Sequence, residues 1–191
     1  MSTLPDHLHF HGPFTFVDHG RGLARSEFAR SEGIYLWVKT DGQRRYIHYV
    51  GETRDFLKRH KEHLTQMLGA NYGVFRADAV AADDPAPIFG GMWRDKSEDP
   101  LTRTVKAWLG LQQEIHANVE SIEVFFAPTQ LPNEMRKHIE GCLAQQLKQR
   151  HPEAARFYPA DNRTIPRKMQ GIRIAVTAEV PIDGLDPEIE V

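Results

Sequence analysis

Gly33-Ile34-Tyr35-Leu36-Trp37-Val38 and Tyr46-Ile47-His48-Tyr49-Val50-Gly51 stand on either side of Thr40-Asp41-Gly42. Both runs are rich in β-branched and aromatic side chains, and Asp-Gly supplies turn chemistry between them, which predicts a β-hairpin. Thr53 is placed to cap a helix over about 54–68, in which Phe56, Leu57, Leu64, Met67 and Leu68 recur at helical spacing and Gly69 ends the pattern.

Residues 70–99 read as irregular strands and turns: Tyr72 to Val80 alternate, and Asp83-Asp84-Pro85 and Gly90-Gly91 break the remainder of the stretch. Val105, Trp108, Leu109, Leu111 and Ile115 predict a helix over about 101–119, and 121–127 reads as a strand. After Pro132-Asn133 a further helix runs to about Arg150, with Met135, Ile139, Cys142, Leu143 and Leu147 as its apolar stripe and Pro152 at its end. A last strand over 172–176 leads into an acidic tail. The expected fold class is α+β.

The 191 residues, 40% of them apolar, suffice for one domain and an insertion. Cys142 is the only cysteine, which excludes an intramolecular disulfide, an all-cysteine zinc site and a Cys-x-x-Cys redox pair, and fits a cytoplasmic protein. The first 16 residues lack the basic start and apolar run of a signal peptide, and no stretch approaches the ~18 apolar residues of a membrane helix. A net charge of −2 is unusual for a partner of nucleic acid. Five acids without a Lys or Arg between Glu179 and Val191 account for it, and the first 178 residues are net positive. Basic clusters lie at Arg44-Arg45, Lys58–Lys61, Lys148–Arg150, and Arg163 with Arg167-Lys168.

The tripeptides Gly33-Ile34-Tyr35 and Tyr49-Val50-Gly51, with the capped helix segment 52–63 behind them, resemble the signature of GIY-YIG nucleases. Arg59 and His63 are four apart, a spacing that puts both on one helix face where they can converge on one phosphate. The family carries a glutamate on a later helix, matched by Glu140, and an asparagine after a proline-containing loop, matched by Asn162. The resemblance spans 33–162 around an insertion at about 70–120, leaving 1–32 as an N-terminal extension and 163–191 as a C-terminal strand and acidic tail.

The resemblance implies a small, mainly antiparallel sheet flanked by helices and an endonuclease that hydrolyses phosphodiester bonds, with DNA as the expected partner. It makes Glu140 the ligand of one Mg2+ or Mn2+ ion, a hard cation that keeps most of its waters. Arg59 offers a planar, permanently charged fork matched to a phosphate. Tyr35 and Tyr49 are the candidates for a proton relay from the attacking water, and His63 would position or deprotonate the tyrosine or water. Asn162 would fix a loop or Tyr49. One departure is Glu52, where some family members place a lysine after the second glycine. Together with the acidic net charge it motivates a competing reading, a non-catalytic interaction module on the same fold. A third is a restriction-type nuclease in which 70–120 reads bases.

His7, His9 and His11 alternate, so on a strand they share a face able to bind a transition metal, although a solvated terminal strand also accounts for them. Trp37, Trp93 and Trp108 are read as core, and His60 and His138 as surface histidines.

Overall fold

Every residue from Gly33 to Lys39 is buried, as a continuous apolar run requires of a strand covered on both faces. The computed structural model describes residues 4–17, 22–158 and 171–191. Asn162 lies outside them. Within the described residues the chain forms β1 (His7–Thr15), β2 (Gly33–Thr40), β3 (Arg45–Thr53), α1 (Phe56–Leu68), β4 (Val74–Phe75) and β5 (Pro87–Phe89). It continues through α2 (Pro100–Glu120), β6 (Ile122–Pro128), α3 (Asn133–Arg150), α4 (Pro152–Ala155), β7 (Arg173–Ala178) and β8 (Glu188–Glu190). The fold is α+β.

Six strands form one sheet in the order β3-β2-β6-β1-β7-β8, antiparallel throughout except for the parallel pair β1 and β7. The segment before the hairpin thus supplies an interior strand of the same sheet. At the other end of the chain, the acidic residues are not a loose tail: Glu188–Glu190 pairs with β7 and seats Ile189 and Val191 in the core. The turn between β7 and β8 curls back, and the Asp183 amide donates to the Arg45 carbonyl at 2.7 Å, which blunts the free edge of β3.

Alternation along β2 sends its side chains into two cores. Ile34, Leu36 and Val38 pack with Ile139, Cys142, Leu143 and Leu147 of α3, whose predicted stripe is the buried one. Tyr35 and Trp37 face the other way, onto Phe56 and Met67 of α1 and Val119 of α2.

Three local expectations are corrected. The cap of α1 is Asp55, whose carboxylate accepts from the Lys58 amide at 2.8 Å, while Thr53 bonds the backbone of Asp55. The buried face of α1 is Phe56, His60, His63 and Met67, and Leu68 is exposed. On α2 only Ile115 of the predicted stripe is fully buried; Val105 and Leu109 are 64% and 80% exposed, as is Trp93 at 63%. The expected helix is there, but the insertion that carries it leaves that face uncovered.

Candidate active site

The two glycines that flank the tyrosine pair are required by close approach. A Cβ on Gly51 would fall on the ring and hydroxyl of Tyr35, and one on Gly33 would strike the Ala127 carbonyl and the Phe126 ring. Gly51 opposes Tyr35 across the β2–β3 ladder, so its missing side chain is the space the Tyr35 ring occupies. Tyr49 stacks beside Tyr35, ring centroids 5.9 Å apart at 24°.

Beneath the pair lies α1. His63 is 2% exposed, and its Nε2 is 2.7 Å from the Tyr35 hydroxyl while its Nδ1 is 3.0 Å from that of Tyr72. His63 is therefore not a solvent-facing partner of Arg59 at a phosphate. It is the middle of a chain Tyr35–His63–Tyr72 that runs from the buried Tyr35 to the half-exposed Tyr72. His60, one turn earlier, is buried as well: it accepts from Trp37 Nε1–H at 3.1 Å, which leaves the proton on Nδ1 for the Phe56 carbonyl at 2.8 Å. Burial pushes His60 down to about 4 and, with the positive charge of Arg59, pushes His63 down to about 2. Both are neutral imidazoles at physiological pH.

Arg59 stays half-exposed above this layer, with 40% of its side chain accessible. Burial opposes its charge, but the neighbouring hydroxyls of Tyr35, Tyr49 and Tyr72 more than offset that, and its pKa rises. Both tyrosines move the opposite way to an activated phenol. Tyr35, fully buried, is raised well above 10 by burial and by Tyr49, against an opposing effect of Arg59. Tyr49 is raised by burial and then by the negative charge of Glu140. Glu140, half-buried on α3, also acts on Tyr35 and Tyr158, so its carboxylate belongs to the same electrostatic neighbourhood. Arg59, Tyr35, Tyr49, His63 and Glu140, drawn from four elements, are thus brought together.

Glu52 has a part that its sequence neighbourhood hides. Arg136 of α3 is 1% exposed; its Nε donates to Glu52 at 3.1 Å, and its Nη1 to Glu32 at 2.5 Å and to the Leu131 carbonyl. The charge of Glu52 is therefore matched to a buried guanidinium, one helical turn before Glu140, and ties α3 to β3. Replacing Arg136 by Met is expected to destabilise the protein by about 3–5 kcal/mol, because Glu32 and Glu52 keep their charges without a cation. Urea unfolding of the pair of proteins measures it; a change below about 1 kcal/mol would show the triad to be dispensable.

The sequence pattern singles out none of Tyr72, Arg136, Glu32 and Tyr158. Tyr72 sits three residues past Gly69, in the irregular stretch, and nothing in its local pattern distinguishes it. Arg136 carries one signal, a charged residue three before Ile139 and six before Cys142 of the apolar stripe. No family model matches the chain, and neither a curated protein nor a solved structure does.

Proposed function

We propose that this chain is a divalent-metal-dependent endonuclease of the GIY-YIG kind, acting on nucleic acid, with DNA as the first substrate class to test. The observation that carries the reading is the gathering of a permanent cation, Arg59, two stacked tyrosines and a carboxylate, Glu140, around one edge of the sheet. Phosphodiester hydrolysis asks for these types: fixed positive charge for the pentavalent transition state, a route for the proton of the attacking water, and an anchor for a hard cation.

The donor chemistry fits one ion. Glu140 offers hard carboxylate oxygens, and among the described residues no three-donor cluster of His, Cys, Asp or Glu includes it. A single carboxylate suits Mg2+ or Mn2+, which retain most of their waters and take phosphate oxygens as further ligands. When bound, the ion supplies Lewis-acid polarisation of the phosphoryl group.

The remaining roles belong to the chain's own side chains. Arg59 holds a non-bridging phosphate oxygen and needs no proton to stay charged. Tyr49, the less buried tyrosine, faces the water. At neutral pH both tyrosines are neutral phenols, so a tyrosine that takes a proton must pass its own on. Tyr49 passes its proton to the neighbouring Tyr35 hydroxyl, and from there the route runs through His63 to the half-exposed Tyr72, which releases its own proton to solvent. Neutral His63 receives a proton at one ring nitrogen as it releases one from the other, and never becomes a cation, in keeping with a pKa of about 2. In this reading Tyr49→Phe lowers turnover by about 100-fold, and Tyr35→Phe by about 10-fold with a stability loss of about 1 kcal/mol. Equal and small effects would remove the tyrosines from the proton route.

The test of the activity is a cleavage screen on duplex, single-stranded, branched and mismatched DNA and on RNA, with Mg2+ or Mn2+, comparing wild type with Glu140→Ala. Metal-dependent cuts that the variant lacks are expected. Cleavage by neither protein on any substrate, or by both equally, would sink the proposal. The interaction-module alternative drew on the acidic net charge and on Glu52, and the Arg136 ion pair gives Glu52 a structural part. No helix among the described residues is long and apolar enough to cross a membrane.

A further inference from the structure

The outward face of β1 and β7 holds a group of side chains that the nuclease reading does not use. Leu8 and Phe10 of β1, and Ile174 and Val176 of β7, point into the core. The alternate positions put His7, His9 and His11 on the opposite face, with Thr177 opposite His9 in register and Glu179 just beyond the end of β7. From His9, His11 and Glu179 one donor atom each lies within 4.8 Å of the others. Around a zinc ion, donors at ~2.0–2.1 Å sit roughly 3.3 Å apart in a tetrahedron, a contraction that side-chain torsions of histidine and glutamate can cover.

Two further observations separate this group from a merely solvated row. The first is that the hydrogen bonding prepares the donors. The Thr177 hydroxyl lies 2.7 Å from His7 Nε2 and 2.7 Å from His9 Nδ1. It has one proton, so it donates to one ring and accepts from the other. With His9 Nδ1–H donating to it, His9 Nε2 carries a lone pair, the arrangement in which an outer hydroxyl orients a metal-binding imidazole. Glu179 is aimed in the same way: one oxygen is 3.2 Å from His11 Nδ1 and the other accepts the Gly12 amide at 3.3 Å.

The second observation is room for an exogenous ligand. A cleft of about 490 Å3 is lined by His11, Glu179, Phe14, Phe28, Arg25 and Glu27. His11 packs on Phe28, ring centroids 4.6 Å apart, which fixes it at the mouth. Two imidazoles and one carboxylate leave a tetrahedral ion one position short, and the cleft opens beside it.

We propose that His9, His11 and Glu179 form a binding site for a zinc-class transition ion with an open fourth position facing this cleft. The site shares no residue with the Arg59–Tyr49–Glu140 group and prefers a different cation: two nitrogens and one oxygen suit Zn2+ or Co2+ rather than Mg2+. His7, held by Thr177, supports the site without ligating.

The test uses the full chain, stripped with a chelator and titrated with Co2+ as a spectroscopic probe and with Zn2+ by calorimetry. Wild type is expected to bind one equivalent, with the visible absorption of four-coordinate Co2+, and to show a higher Tm with Zn2+. His9→Ala and Glu179→Gln are expected to weaken binding by at least about 100-fold, and His7→Ala by about 10-fold or less. All the substituted side chains are on the surface, and unchanged circular dichroism checks the fold. Absence of one-equivalent binding in wild type would overturn the site. So would wild-type affinity in Glu179→Gln, which would reduce the histidines to a strip with adventitious affinity. Neither result bears on Glu140, whose variant is expected to bind Co2+ here as wild type does.

Discussion

Glu140→Gln is expected to fold as wild type does and to lose about 1,000-fold or more in metal-dependent cleavage, some 4 kcal/mol of transition-state stabilisation. Gln keeps the size of the side chain and one carbonyl oxygen, so α3 has no reason to move. What disappears is the negative charge, and with it the attraction for a divalent ion whose other positions are water and substrate. The same charge raises Tyr49, so the variant carries its own internal readout. The Tyr49 phenol is expected to titrate at lower pH in Glu140→Gln than in wild type, measurable by ultraviolet difference absorption even without a substrate. An unmoved Tyr49 would place the carboxylate too far away to act in the site. Unchanged cleavage would remove it from the chemistry.

The neighbourhood of that site was legible in the sequence to unequal degrees. The hairpin, α1 and α3 obey local rules: β-branched runs around Asp41-Gly42, and apolar stripes that recur every three or four residues. The orientation of α1 does not. His60 and His63 read as polar, yet they turn inward because Trp37 and Tyr35, two positions apart on β2, present a donor and a hydroxyl to them. Those partners lie more than twenty residues away, beyond the reach of any periodicity. Leu68, apolar and at the right spacing, is left outside.

The sheet order is non-local for the same reason. β1 reaches the middle of the sheet only because β6 and β7, far along the chain, take its two sides. Glu188-Ile189-Glu190 reads as part of an acidic tail, since three residues are too few to display alternation, but Ile189 is 1% exposed. Glu52 is the instructive case. Judged beside its sequence neighbours it departs from a pattern, and judged beside Arg136 it is the partner that a buried cation requires. The triad it completes ties α3, the helix that carries Glu140, to β3.

Acidification from pH 7 to pH 5 is expected to destabilise the protein steeply, above the range in which ordinary carboxylates titrate. Three buried histidines drive this. Burial pushes His48 down to about 3, helped by the charge of Lys39, and His60 and His63 lie at about 4 and about 2. In the unfolded chain each returns to ~6.5. Their contribution to stability is therefore complete above that value and is lost as pH falls from there toward the folded pKa values, because the unfolded state takes up protons the folded state refuses. Each histidine then costs about 1.4 kcal/mol per pH unit, or roughly 2 kcal/mol at pH 5, and the three together about 6 kcal/mol. A domain of this size holds on the order of 5–15 kcal/mol, so the loss is a large share of it. Urea unfolding at pH 7.5, 6 and 5 checks the slope. His60→Gln, which offers an acceptor to Trp37 and a donor to the Phe56 carbonyl, is expected to flatten the slope by about a third. Unfolding free energies that stay level between pH 7 and 5 would mean that the buried imidazoles are accessible to protons in the folded state, and the neutral His63 on which the proton route depends would fall with them.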